Sequence, residues 1–402
     1  MRMHLFSIIV MGCISLGSLF LLGCSSEEEE PKDVVVDTTE LVSSNTRFGF
    51  ELLTEVYEQD AGKNIFISPL SISIALMMTY NGAEGETQQA MAETLELEGM
   101  NLQEVNQANA ELRADLESSD PGVKLTIANS LWARKGVEFK TDFLERNRQF
   151  FGAEITTMDF SDPKSAGIIN QWVDLNTKGK IEKIVEQIDS MTVMFLINAI
   201  YFKGTWKLKF DKSETEDGVF YLPDGTEKQV QMMYRDGGYP YYQGDKFEAV
   251  KLFYGEKRIG MYIFLPDHDS NLNEFLKNLN AKNWAIWIAK FEETPDDSGI
   301  MLPRFKLEYE IRLNDALETL GMEAAFDNRA NFDGMAPGLF ISEVKHKAFV
   351  EVNEEGTEAA AVTVVKVGEC APSNFIVDRP FFFAIRDDWT GTILFMGIVV
   401  EP

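Results

Sequence analysis

Cysteine is scarce in this 402-residue chain: Cys13, Cys24 and Cys370 are all there is. A disulfide framework is therefore excluded, and stability must come from the core. Histidine is equally sparse, with only His4, His268 and His346, so a hydrolytic triad has few bases to draw on. The chain has no Gly-x-Ser-x-Gly elbow, no Gly-x-Gly-x-x-Gly fingerprint and no phosphate-cradling Gly-Lys-Ser/Thr loop. Cys370 sits in a polar stretch without a neighbouring base in sequence, a poor setting for a thiol nucleophile. The acidic run Asp267–Asn271 fails the EF-hand spacing, because Leu272 stands where glycine is required and Asn278 where glutamate closes the loop. It reads as a solvated turn, and no cofactor or metal is expected. Positive charge is also short. Against 65 Asp and Glu there are 37 Lys and Arg, a net charge of -28, which argues against a nucleic-acid partner because nothing would neutralise phosphates.

What is present is an ordinary globular composition, 45% hydrophobic and 25% charged, able to bury a large core. Arg2 and His4 precede an apolar stretch from Leu5 to Leu22 that ends in Leu21-Leu22-Gly23-Cys24. A charged start, an apolar middle and small residues at a cleavage point describe an export signal over residues 1–23. The Leu-Leu-Gly-Cys ending resembles the bacterial lipobox, in which the cysteine is lipidated, so Cys24 is the expected anchor to a membrane. "SSEEEE" from Ser25 to Glu30 looks like the acidic export tag of some Bacteroidota surface lipoproteins, which implies an exported protein held at the cell surface. Residues 24–44 lack periodicity and read as a solvated tether.

Residues 45–402 show no linker and no internal repeat, so one domain is expected. Ser68-Pro69 is a helix start, with Ser68 as N-cap and Pro69 at the first helical position, and the following "LSISIALMMTYNG" is apolar almost all round, hence buried. Strand patterns fall at 124–134, 192–204, 258–267 and 339–352, and amphipathic helices at 141–151, 165–176, 272–279 and 312–321. Long apolar strands mixed with helices predict an α+β fold, a large sheet covered by helices.

The segment Glu351–Phe375, "EVNEEGTEAAAVTVVKVGECAPSNF", contains no proline before Pro372. Its middle has the composition of a strand and its flanks that of a loop. Taken as a strand, Thr357, Ala359, Ala361, Thr363, Val365 and Val367 share one face, while Glu358, Ala360, Val362, Val364 and Lys366 share the other. Both charges fall on the second face, so the first can be buried without burying a charge. Gly356 supplies a flexible backbone ahead of it. These residues suit a segment that starts outside a sheet and later joins it.

"NEEGTEAAAVT" resembles the proximal hinge of inhibitory serpins, and the similarity extends over residues 45–402. "NIFISPLSISIALMMTYNGAEGETQQAM" (64–91), "LTIANSLWARKG" (125–136), "FLINAIYFKGTW" (195–206), "LPRFKLEYEIRLNDALETLGMEAAFD" (302–327), "ISEVKHKAFVEVNEEGTEAA" (341–360) and "DRPFFFAIRDDWTGTILFMG" (378–397) follow serpin order. The resemblance implies three β-sheets, about nine helices and an exposed reactive loop at about 354–377. It implies a monomer that is not an enzyme but a suicide inhibitor of serine proteases, with cross-inhibition of cysteine proteases as an extension. The alternative it leaves is a non-inhibitory serpin acting as a binding or structural protein, although such members usually carry bulky or charged hinge residues where this chain has Thr357-Glu358-Ala359-Ala360-Ala361.

By the same resemblance, Glu354, Glu355, Gly356, Thr357, Glu358, Ala359, Ala360 and Ala361 form the hinge. Ser68, Ser71, Asn198 and His346 form the shutter, a hydrogen-bonded cluster beneath the strands that part. Trp206 marks the breach where the loop first joins the sheet, and Arg304 pairs with Glu354 nearby. Counting forward from Gly356 places the scissile bond at Cys370-Ala371, and counting back from Pro380 places it at Glu369-Cys370. Val365 and Val367 are alternative cuts for an elastase-like enzyme.

Overall fold

The computed structural model describes residues 37–118, 120–357 and 374–402. The export signal, Cys24, most of the tether, Glu358–Ala361, Val365, Val367 and Glu369–Ala371 lie outside these described residues. From the N-terminus the chain runs through α1 (Thr39–Gln59), β1 (Ile65–Ile67), α2 (Pro69–Tyr80), α3 (Gly85–Thr94), α4 (Leu102–Glu117), β2 (Val123–Arg134), α5 (Thr141–Phe151), β3 (Glu154–Met158), α6 (Ser165–Asn176) and β4 (Met194–Thr205). It continues through β5 (Glu216–Tyr221), β6 (Glu227–Asp236), β7 (Pro240–Gln243), β8 (Phe247–Phe253), β9 (Ile259–Pro266), α7 (Leu272–Asn278) and α8 (Ala281–Ile288). Last come β10 (Glu292–Glu293), β11 (Gly299–Pro303), β12 (Phe305–Arg312), α9 (Asn314–Leu317), α10 (Glu323–Phe326), β13 (Lys345–Asn353), β14 (Gly356–Thr357), β15 (Asn374–Ile376), β16 (Phe381–Asp387) and β17 (Ile393–Val399).

These strands build three sheets, in the orders β12-β13-β14-β4-β2-β3, β1-β17-β16-β9-β8-β7-β10 and β15-β11-β6-β5. The α+β architecture follows from strand chemistry. Strand β12, "FKLEYEIR", alternates buried and exposed along its whole length, as one half-buried face requires. "FFFAIRD" and "ILFMGIV" of β16 and β17 are buried almost continuously, because their sheet is covered on both faces. Helix α2 lies inside, capped as the sequence predicts: the Ser68 side chain accepts from Ser71 N–H at 3.2 Å and Pro69 opens the helix.

Three sequence expectations need correction. The domain was expected to begin at residue 45, but α1 starts at Thr39, and Leu41, Val42 and Ser44 are already buried on its inner face. The helix expected over 312–321 instead follows a strand that runs through Arg312, and it is interrupted where Gly321 takes φ 112°, leaving the two short pieces α9 and α10. Counting that pair as one interrupted helix, with α1–α8, gives nine helices among the described residues. The strand expected over 339–352 begins only at Lys345. Ahead of it, Ile341 N–H bonds the Ala325 carbonyl and Val344 N–H bonds Asn314 Oδ1, so that backbone is committed away from the sheet.

Candidate functional site: a strand-wide slot and its insertion point

Gly356 and Thr357 form a two-residue strand seated between β13 and β4. Thr357 pairs with Val352 on one side and Gly204 on the other, and Gly356 with Asn353 and Thr205. Beyond Thr357 no pairing joins β4 to β13 among the described residues. The two strands that flank β14 therefore continue past it with facing edges and room for one more strand between them.

The insertion point is tightly built. Gly356 has φ 145°, and a Cβ there would lie 2.0 Å from the Gly204 carbonyl oxygen. Glycine is required by close approach as well as by backbone freedom. Gly204 is equally constrained, since a Cβ would lie 2.6 Å from the Tyr254 ring. Tyr254 is fully buried, stacks on Trp206 with centroids 4.3 Å apart and planes 12° apart, and shares a 2.7 Å hydrogen bond with the Thr357 hydroxyl. Burial pushes the Tyr254 phenol pKa up, so it stays protonated and able to donate. Trp206 Nε1–H donates to the Asn353 carbonyl at 2.9 Å and its backbone N–H to the Glu355 carbonyl at 2.9 Å. Trp206 is thus bonded to Asn353 and Glu355, on either side of the start of the hinge.

Arg304 and Glu354 meet as the sequence reading expects, Nη2 to Oε1 at 2.5 Å. The Glu354 side chain is buried, 1% exposed, while that of Arg304 is 41% exposed. Burial pushes its carboxyl pKa up, but hydrogen bonds from Arg304 and Thr215 outweigh that and leave it lowered, so the group stays ionised. Glu355 pairs with Lys209 at 2.7 Å. The turn that launches the loop is pinned by two ion pairs.

Lower in the slot, the four shutter residues do not form one cluster. Ser68 N–H donates to His346 Nε2 at 3.1 Å, Ser68 Oγ donates to the Leu394 carbonyl, and Ser71 N–H donates to Ser68 Oγ. Asn198 stands apart: its side-chain amide donates to Asn129 Oδ1 at 2.7 Å, and its own Oδ1 is buried without a partner. In the sheet order β14 stands between β13 and β4, and no bond joins Asn198 to His346 among the described residues. Burial also pushes the His346 pKa down to about 4, so the imidazole is neutral and accepts through Nε2.

Sequence reasoning missed Tyr254, Gly204, Thr215, Lys209 and Asn129. Each is brought to the slot by strand pairing from a distant segment, and "KLFYGEK" around Tyr254 carries no local signal. The turn Asp267–Asn271 has no role here; Asn271 Oδ1 accepts from Glu274 N–H and caps α7.

The fold thus has three sheets, and in the six-stranded one the two-residue strand β14 is all that joins β13 to β4. The chain belongs to the serpin family: the family described as "Serpin (serine protease inhibitor)" matches residues 43–402. It is 36% identical to the leukocyte elastase inhibitor of Sus scrofa over 378 residues, covering 90% of this chain and 100% of that protein. It is also 36% identical to Serpin B6 of Pongo abelii over 374 residues, covering 90% and 99%. Among solved structures, the thermophilic serpin tengpin in its native state superposes with a TM-score of 0.83 at 32% identity, over 91% of this chain and 95% of that one. Thyroxine-binding globulin in complex with thyroxine gives 0.82 at 29%, over 90% and 99%.

Proposed function

We propose that this serpin inhibits serine proteases as a suicide substrate. The protease serine attacks the carbonyl of Glu369 or Cys370, the peptide C–N bond breaks, the new amino terminus leaves with a proton from the protease histidine, and the loop remains esterified to the enzyme. The freed strand then zips into the slot from Thr357, carrying the acyl-enzyme along. The seated pair Gly356–Thr357 between two unpaired strand edges is the observation that carries this reading. Continuing its register places Ala359 between Phe202 and Val350, Ala361 between Ile200 and Ala348, and Thr363 between Asn198 and His346. Thr357 faces inward, so those residues do too, and the charged Glu358 and Lys366 face outward. Each new ladder hydrogen bond contributes about 0.5–1.5 kcal/mol and each fully buried valine about 1.5–3 kcal/mol. Insertion is therefore downhill once the intact loop no longer holds its ends apart.

Similarity to leukocyte elastase inhibitors supports an elastase-like target, for which Cys370, Val365 and Val367 are suitably small residues before the cut. Cysteine proteases would be trapped as thioesters by the same steps. The protein is further read as a monomer, exported and lipidated at Cys24, and held at an outer-membrane surface by that lipid, with the acidic tether as the spacer. Incubation with a protease panel, followed by intact-mass measurement, tests the inhibitory reading. A denaturant-stable adduct gives target and cut site together. Clean cleavage without adduct by every protease would leave the non-inhibitory binding role. For the anchor, Cys24→Ala should release the protein from the membrane fraction, and unchanged fractionation with no fatty-acyl label on the wild type would end that reading.

A further inference from the structure

Between the C-terminal half of α1 and α7 lies a cleft of about 1020 Å³ that strand insertion does not use. Small-molecule sites typically span about 300–1,000 Å³, so its size suits a compact organic ligand. Leu53, Leu272, Leu276, Pro380 and Val400 give it apolar walls, and the rings of Tyr57 and Tyr221 line it as well. Its ionisable groups are Glu58, Asp267, Lys277 and Arg379. Arg379 is already committed, with Nε donating to the Pro266 carbonyl at 2.7 Å and Nη1 meeting Asp378 at 2.8 Å. Glu58, Asp267 and Lys277 have no ion pair among the described residues. Two free carboxylates thus oppose one free ammonium, and the cleft keeps a surplus negative charge in a chain that is already strongly acidic.

We propose that this cleft binds a small organic cation with an apolar body, a hydrophobic amine. Its hydrocarbon part packs on Leu53, Leu272 and Leu276. Its ammonium is held by the carboxylates of Glu58 and Asp267. An occupant touches α1, α7 and the Arg379–Pro380 segment that follows β15, so it stabilises the native fold by an amount that grows with the logarithm of its concentration above Kd.

Three probes with one apolar body separate charge from shape: 2-(2-naphthyl)ethylamine, its N-acetyl derivative and 2-naphthylacetate, titrated calorimetrically at pH 7 against the whole protein. The amine should bind about ten-fold more tightly than the neutral amide, as one retained charge contact predicts, with the acid weakest. Glu58→Gln combined with Asp267→Asn should bring the amine to the affinity of the amide. Thr54→Trp, an exposed position on α1 that would fill the cleft, should abolish all binding, and Ser270→Trp from the α7 side gives a second blocked form should the first melt early. Equal or tighter binding of the acid, amine binding that survives both blocking variants, or no binding by any probe would each overturn the proposal. Adduct formation with a protease is a separate readout, so failure here leaves the inhibitory reading standing.

Discussion

The buried hydroxyls of Tyr254 and Thr357 share a 2.7 Å hydrogen bond across the top of the slot, tying the first inward-facing hinge residue to a ring stacked on Trp206. Tyr254→Phe keeps the stack and removes the bond. A buried hydroxyl left without a partner costs about 1–3 kcal/mol, so the seated hinge should loosen and insertion should start more slowly. On a denaturing gel after protease addition, the ratio of adduct to cleaved inhibitor should fall. An unchanged ratio would mean that the bond is incidental.

Gly356→Ala introduces a Cβ 2.0 Å from the Gly204 carbonyl oxygen, at a φ of 145°. The seated pair cannot remain in place without backbone movement. The variant should behave as a substrate, cut by the protease without forming adduct. Retained inhibition would show that insertion can begin below Gly356.

Ala359→Arg would carry a charge into the sheet core at a cost of several kcal/mol, about the penalty of a buried unpaired charge, and should convert the inhibitor to a substrate. Ala360→Arg, facing outward by the register continued from Thr357, should be milder. Equal loss from both would refute the facing assignment.

Loop cleavage should make the protein far more heat-resistant, because the strand then fills the slot. In that state Thr363 comes level with Asn198 and His346, where its hydroxyl can donate to the otherwise unpartnered Asn198 Oδ1. Thr363→Val should lower the melting temperature of the cleaved form and leave the intact form unchanged. If cleavage itself leaves melting unaltered, the loop does not insert.

His346 titrates at about 4 in the fold against an ordinary 6.5. The unfolded chain binds the extra proton first, so this group lowers stability as pH falls from 6.5 to about 4, by about 3 kcal/mol in all, and has no effect above 6.5. Comparing the first denaturation midpoint at pH 7 and pH 5 should show about 2 kcal/mol of that loss in the wild type and its absence in His346→Gln, which keeps an acceptor for Ser68 N–H. An identical pH response in both would assign the effect elsewhere.

The sequence by itself determined much of this molecule, wherever the determining forces are local. Apolar runs marked the strands at 124–134 and 258–267, the Ser68 cap and Pro69 set the start of α2, and Thr357 is buried on the face that the sequence leaves free of charge. Burial of Leu41 and Val42 was not readable, since α1 extends upstream only against a core that distant strands create. Only the tertiary structure decided that Gly356 is needed for close approach to Gly204, that Tyr254 latches Thr357, and that Asn198 is separated from His346. These are relations between segments far apart in the chain, fixed by the register of β14 against β4 and β13, and register is a property of strand pairs that no single strand's sequence contains.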